Sequence, residues 1–331
     1  MTDFHHGVLE LDLANEVDRI AGFLKEQTFS VFNKRGIVVS VSGGIDSSLT
    51  AALAVKAVGP ERVLTLCLPE KDSSSKSSRL GKMLADHLGC ENITEDITAV
   101  LEAFGCYRHR DEAIKRVFPE YDSSYKMKII LPQNLINTGR ANIYSVVIED
   151  PSGERKAARL PLRELLEIVA ATNHKQRTRK QYEYFHADAR AYVVAGTPNR
   201  LEYDQGFFVK GGDGLADVKP IAHLYKTQVY MMARYLELPE EILSQLPTTD
   251  TYSLGQSQEE FYFSLPYDKL DLVLWAYNHD IPTGQVADVM GFTPEQISFV
   301  YNDIKQKRKT TAYLHKTLFV EPIKGISASL A

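Results

Sequence analysis

Apolar residues recur at helical spacing over about 8–30, where Val8, Leu9, Leu11, Leu13, Val17, Ile20, Phe23 and Leu24 predict an amphipathic helix. Arg35-Gly36 breaks that pattern, and Ile37-Val38-Val39-Ser40-Val41 reads as a strand buried on both faces. A glycine-rich turn follows, then a helix from about Ser47 to Ala57, a strand from Arg62 to Leu68 and a helix from Ser77 to Leu88. Asn92 to Ile97 is a third short strand. Strands separated by single helices imply parallel pairing with right-handed crossovers, so the expected fold is α/β: a Rossmann-like, doubly wound parallel sheet with flanking helices.

The rhythm changes over 105–160. Ile143 to Glu149 and Arg155 to Leu160, joined through Pro151-Ser-Gly153, predict an inserted β-hairpin. A long helix is expected from Pro161 to about Arg190, and Tyr192 to Ala195 returns to a buried strand. From Tyr225 onward the pattern is helical, with a turn-rich break at about 247–258, so 257–331 is expected to be a helical C-terminal part. Without linker or repeat, residues 1–331 are expected to form one domain.

Composition narrows the chemistry. The 331 residues are 44% hydrophobic and 24% charged, enough for a sizeable core. Thirty-eight basic against 43 acidic residues give a net charge of −5, which disfavours a general nucleic-acid binder. No apolar run approaches the ~18 residues of a membrane helix, and the N-terminus lacks a signal-peptide pattern. Cys67, Cys90 and Cys106 share no metal-ligand spacing and read as thiols of a reducing cytoplasm.

The segment Ser42-Gly43-Gly44-Ile45-Asp46-Ser47-Ser48 lies between a strand and a helix N-terminus. Glycines let the backbone approach an anion, the helix end offers N–H groups and a favourable dipole, and hydroxyls add donors. Asp46 would repel phosphate unless a cation lies between them, which makes it a candidate Mg2+ ligand. The competing reading is that Asp46 or Ser47 caps the helix. Neither Gly-x-x-x-x-Gly-Lys-Ser/Thr nor Gly-x-Gly-x-x-Gly occurs at this turn.

Ser-Gly-Gly-x-Asp-Ser resembles the signature of the ATP pyrophosphatases, which adenylate an oxygen and release pyrophosphate. Further along stand Asn173 to Arg179, Gly196-Thr197-Pro-Asn199-Arg-Leu-Glu202, Gly206 to Asp217, Pro220 to Gln228 and Pro247-Thr248. In this order the blocks resemble ammonia-dependent NAD synthetase, with a weaker echo at His315-Lys316. The resemblance implies ATP as a substrate with Ser40, Ser42, Gly43, Gly44, Asp46, Ser47, Ser48, Thr197, Lys226 and Thr248 around it. It places Mg2+ on Asp46 and Glu202, and a carboxylic acid (deamido-NAD in the family) against Arg177, Lys210, Asp217, His315 and Lys316. Asp46, Lys226 and Asp213 are the expected catalytic groups, with Asp213 or Asp217 open as the base toward ammonium. A homodimer is implied too.

The physical chemistry is consistent. Two carboxylates suit one hard cation, a lysine offsets charge growing on pyrophosphate, and arginine offers a bidentate fork. Singly, Lys226 reads equally as a solvated lysine, Glu202 as a first-turn acid and Arg177 as part of the basic run 175–180. Departures from the family pattern are the length of 105–160, Gln245-Leu246, Glu259-Glu260 and Thr317. Most fall where the acid is expected, which leaves another carboxylate open as acceptor. A third reading is an RNA-modifying ATP pyrophosphatase, since Gln285 to Ile297 has the outline of a helix-turn-helix without basic residues. Only about 36 residues precede the first strand, too few for a glutaminase domain, so free ammonia or a separate subunit is the expected nitrogen source.

Overall fold

The computed structural model describes residues 4–130, 144–245, 252–255, 262–263 and 265–317. The N-terminal apolar pattern resolves into three pieces. A 3-10 turn at His6–Leu9 precedes helix α1 (Leu13–Glu26), whose start is set by Asp12 accepting the Asn15 N–H. A π-turn, Gln27–Val31, then leads into strand β1 (Ile37–Ser40).

Strands β2 (Val63–Cys67), β3 (Glu91–Thr94) and β7 (Val193–Ala195) complete a parallel sheet of order β3-β2-β1-β7. Helices α2 (Ile45–Val58) and α3 (Ser75–Leu88) make the first two crossovers. Alternation along β1 splits the core: Ile37 and Val39 join one apolar cluster with α1, α2 and α3, while Val38 joins another on the opposite face. The second face is covered by α4 (Thr98–Phe104), α5 (Cys106–Lys115) and α6 (Leu162–Arg190). The sheet is therefore doubly wound, as the strand–helix rhythm predicts.

Where a hairpin is expected, the structure has three antiparallel strands, β4 (Lys126–Ile130), β5 (Ser145–Glu149) and β6 (Arg155–Arg159). Lysines alternate with Met127 and Ile129 in β4, so its charge masks a buried face that packs with Val146, Ile148, Ile114 and Ile168. The β5–β6 turn closes on Asp150, which accepts from the Ser152 and Glu154 N–H groups. β4 also receives the segment Tyr252–Gly255 on its open edge: Leu254 N–H donates to Met127 O, and Met127 N–H to Ser253 Oγ.

After β7 come α7 (Arg200–Gln205), α8 (Lys226–Tyr235) and α9 (Glu240–Leu243). Helices α10 (Tyr267–Asn278), α11 (Thr283–Met290) and α12 (Pro294–Thr311) enclose a separate apolar cluster with Phe4 and Leu9. The helix-turn-helix outline falls on α11 and α12. Val286, Ala287, Ile297, Val300 and Ile304 turn inward to that cluster, so this pair is a packing element.

Candidate active site

β1 continues to β2 on one side, and the chain later returns as β7 on the other. The order thus reverses between β1 and β7, and at such a point the loops leaving the strand ends diverge and open a crevice. A cavity of about 1380 Å3 lies there, walled by the loops after β1, β2 and β7.

The loop after β1 is shaped by its glycines and serines. Gly43 has φ 77°, and a Cβ there would come within 2.7 Å of Leu80 Cβ, so no larger residue fits the turn. Gly44 caps α2. Ser47 Oγ donates to Gly44 O at 3.0 Å and accepts from Ser42 N–H at 3.3 Å, which holds the loop in a closed curl. Ser40, Ser42, Gly43, Gly44, Asp46 and Ser47 line the cavity. Ser48 does not: it is fully buried, and its hydroxyl donates to Gly44 O at 2.8 Å within the first turn of α2.

The loop after β7 brings Thr197, Asn199 and Glu202 to the same place. Asn199 and Glu202 form a capping box at the start of α7, each side chain accepting the other's backbone N–H. The Asn199 amide donates to Asp46 Oδ1 at 2.9 Å. Lys226, in the first turn of α8 and 1% exposed, donates to Asp46 Oδ2 and lies 5.4 Å from the centre of the Tyr267 ring. Burial works against the Lys226 ammonium, yet the Asp46 and Glu202 carboxylates outweigh it and hold its pKa above the usual lysine value. Asp46, Asn199, Glu202 and Lys226 thus converge from three helix starts. Asn199 is the member whose part the sequence motif does not reveal; the signal it carries is the Asn-x-x-Glu spacing of a capping box.

The β2–α3 loop forms another wall and is fixed from behind by a buried ionic network. Lys175 donates to Glu70 at 3.0 Å and Asp72 at 2.6 Å, Tyr107 OH donates to Glu70 at 2.7 Å, and Arg110 pairs with Asp72. Burial alone would raise the Asp72 pKa; Lys175 and Arg110 overcome it and depress the carboxyl below its usual value.

At the outer end, Arg177 and Lys210 line the cavity, and Arg177 Nε donates to Lys210 O at 3.2 Å. The Lys210 ammonium donates to Tyr313 O at 3.2 Å and Lys316 O at 2.6 Å, tying down the turn that carries Tyr313 and Leu314 into the cavity. His315 and Lys316 are exposed and do not line it; His315 packs edge-on to Tyr203 and Phe208. Asp213 lines the cavity, whereas Asp217 does not: its oxygens accept from Val194 N–H at 2.8 Å and Tyr184 OH at 3.1 Å, a brace between β7 and α6. Thr248 lies outside the described residues. Lys126 and Tyr144 of the inserted region, and Tyr252 to Gly255 docked on it, also reach the cavity.

A parallel sheet with a glycine–serine loop opening on a cavity at its switch point is the architecture of doubly wound α/β proteins that take their ligands in that crevice. The chain belongs to the NAD synthase family, whose model matches residues 16–127 and 123–313. It is 53% identical over 308 residues to the NH(3)-dependent NAD(+) synthetase of Mesorhizobium japonicum, covering 93% of this chain and 96% of that one. Against the NH(3)-dependent NAD(+) synthetase of Rhizobium meliloti the identity is 51% over 324 residues, 98% of this chain and 96% of the relative. Among solved structures, the NH3-dependent NAD synthetase from Campylobacter jejuni superposes with a TM-score of 0.61 at 20% identity, covering 95% of this chain and all (100%) of that one.

Proposed function

We propose that this chain is a ligase that converts deamido-NAD, ATP and ammonia to NAD, AMP and pyrophosphate. The observation that carries the reading is the meeting of Asp46, Asn199, Glu202 and Lys226 beneath the glycine–serine loop. It occurs in a chain more than half identical to an NH(3)-dependent NAD(+) synthetase along nearly all of its length. An RNA-modifying reading loses its one structural support, since Ile297 and Val300 are buried.

In the first step the acid's carboxylate attacks the α-phosphorus of ATP. The Ser42–Ser47 turn receives the pyrophosphate, and Lys226 offsets the charge that grows on it in a water-poor setting. Asp46 and Glu202 present hard oxygen donors on one wall and act on the same ammonium, so the donor set fits Mg2+; the two carboxylates would hold it, and it would supply charge neutralisation to the phosphates. Arg177 stands far enough out to take an anionic group of the acid. In the second step ammonia displaces AMP from the acyl-adenylate.

We read residues 1–331 as one domain that works as a homodimer. Leu162 and Leu166 on α6 are 70% and 59% exposed, and Leu166 also lines the cavity, so a second copy on this face would help complete the acid site. Among the described residues no helix is long and apolar enough to cross a membrane, and cytoplasmic action is the matching proposal.

Exchange of labelled pyrophosphate into ATP, measured against a panel of carboxylic acids, tests the function. Exchange with deamido-NAD, followed by NAD formation on adding ammonium, supports it. Exchange with another acid alone, or ADP and phosphate as products, overturns it.

A further inference from the structure

Two protons must leave for every amide formed. Ammonium has no lone pair and becomes a nucleophile only by losing one proton; the nitrogen loses another when the tetrahedral adduct collapses. The balanced step is acyl-adenylate plus ammonium giving amide, AMP and two protons. A C–N bond forms, the C–O bond to AMP breaks, and that electron pair stays on the phosphate oxygen. A single carboxylate holds one proton at a time, so Asp213 alone does not account for both.

The cavity wall contributed by α6 carries a buried ion pair that the adenylation step does not use. Lys180 Nζ donates to Glu183 Oε2 one turn along the helix, with side-chain exposures of 5% and 6%, and both residues line the cavity. Asp213 approaches from the 209–214 turn, its Oδ1 held by the Val209 N–H at 2.7 Å. The charges around Glu183 are those of Lys180, Asp213 and Arg179; Glu183 in turn acts on the Tyr184 phenol, and Lys180 on Lys219. Burying such a pair costs desolvation that apolar residues would avoid, so stability is a poor account of it.

We propose that Glu183, held in place by Lys180, is the second proton acceptor of the amidation step and works beside Asp213. This rests on the reading of the chain as an amide-forming synthetase. A group that must hold a proton near neutrality should be a weaker acid than usual, and burial raises both the Glu183 and the Asp213 carboxyl. For Glu183 the neighbouring Asp213 charge adds to the rise, while Lys180 and Arg179 oppose it. For Asp213 the Val209 N–H and Lys180 oppose it. Lys180 is a positioning residue: it keeps the Glu183 carboxylate on the wall and screens it from Asp213.

The test uses the full chain as wild type and as E183Q, with deamido-NAD as the acid. Three rates are measured: pyrophosphate–ATP exchange, amide formation with ammonium, and hydroxamate formation with hydroxylamine, which is already neutral at pH 7. In E183Q, exchange is expected to stay at the wild-type rate while ammonium-dependent amidation falls roughly 100-fold. Hydroxamate formation should fall less, and the amidation defect should shrink at alkaline pH, where free ammonia is supplied by the solvent. Equal losses of exchange and amidation would mark Glu183 as structural and overturn the inference. So would unchanged amidation. Should E183Q fail to fold, the double variant K180M/E183Q leaves no lone buried charge and carries the same expectations. Absence of exchange with deamido-NAD in the wild type is a separate result that overturns the functional reading and this inference with it.

Discussion

Lys226 donates to Asp46 across 180 positions of sequence, joining the first turn of α8 to the first turn of α2 under the glycine–serine loop. The two members are unequally buried, with side-chain exposures of 1% for Lys226 and 16% for Asp46. That inequality separates the consequences of losing either one. In D46N the ammonium is left in a dry site with Glu202 as its remaining carboxylate, a loss of up to about 3 kcal/mol of stability, at the lower end for breaking a buried pair. In K226M the carboxylate keeps the Asn199 amide and some solvent, so the stability loss is smaller. Both variants should lose roughly 100-fold or more in turnover, the scale of a missing transition-state electrostatic contact. Denaturant melts and steady-state rates check this. A K226M less stable than D46N contradicts the geometry.

Asn199 does two jobs with two ends of one amide: its oxygen caps α7 and its nitrogen holds Asp46. Aspartate caps a helix as well as asparagine does, so in N199D the cap survives and what is lost is the contact to Asp46. It places a second carboxylate against Asp46, however, and activity should fall by about tenfold or more. N199A should instead lose about 1 kcal/mol of stability as well. Equal activity in N199D and the parent would show that the nitrogen end is idle.

Behind Lys226, the fully buried Asp271 accepts the Thr227 N–H at 2.7 Å, while its other oxygen has no hydrogen-bond partner. Burial pushes its pKa up to about 7 from the ordinary 3.8, against the pull of the Thr227 N–H and the Lys226 charge. The folded state therefore holds this proton more tightly than the unfolded chain. Its contribution to stability is complete below pH 3.8 and is lost as pH rises through about 7. Asparagine cannot ionise, so D271N should gain on the parent between about pH 5 and pH 8, by at most about 3 kcal/mol. Thermal melts across that range are the measurement. A gap that does not move with pH means the carboxyl titrates at its usual value.

The parallel sheet was legible because β1, β2 and β7 are apolar runs of Val, Ile and Leu, the pattern of strands buried on both faces. The turn after β1 was legible for a related reason: glycines at a strand end mark a backbone path that a residue with a Cβ cannot follow, as Gly43 shows. Helices α4 and α5 were hidden, because their buried residues, among them Leu101, Tyr107 and Ile114, are interleaved with charges that pair only in three dimensions. Arg110 and Lys175 look like solvated cations in one dimension; their carboxylate partners lie in the β2–α3 loop, far away in sequence. Lys180 and Glu183 are hidden differently: an i, i+3 pair next to a basic run reads as a solvated helix face, and only the fold shows that both are buried against the cavity. Asp217 erred in the other direction, since a motif position that invites a ligand is here consumed by Val194 and Tyr184.

Arg177 offers the cleanest probe of the acid substrate. It is exposed, and its Nε is held by the Lys210 carbonyl, so the guanidinium is oriented without being part of the core. R177A should melt with the parent, within the ~0.5 kcal/mol usual for a surface change. If Arg177 binds an anionic group of deamido-NAD, the lost charge-assisted contact is worth about 1.5–3 kcal/mol, or roughly 10- to 100-fold in the Michaelis constant for that substrate. The Michaelis constant for ATP should stay near the parent value. R177K should recover only part of the loss, because an ammonium cannot make the two parallel bonds of the fork. Lys210 behaves differently under the same logic. Its ammonium already serves the Tyr313 and Lys316 carbonyls, so K210M frees the turn that brings Leu314 to the cavity. Its defect should therefore not depend on charge: raising ionic strength should worsen acid binding by K210M and by the parent by the same factor. A rise confined to the ATP Michaelis constant in R177A would move this arginine from the acid to the nucleotide.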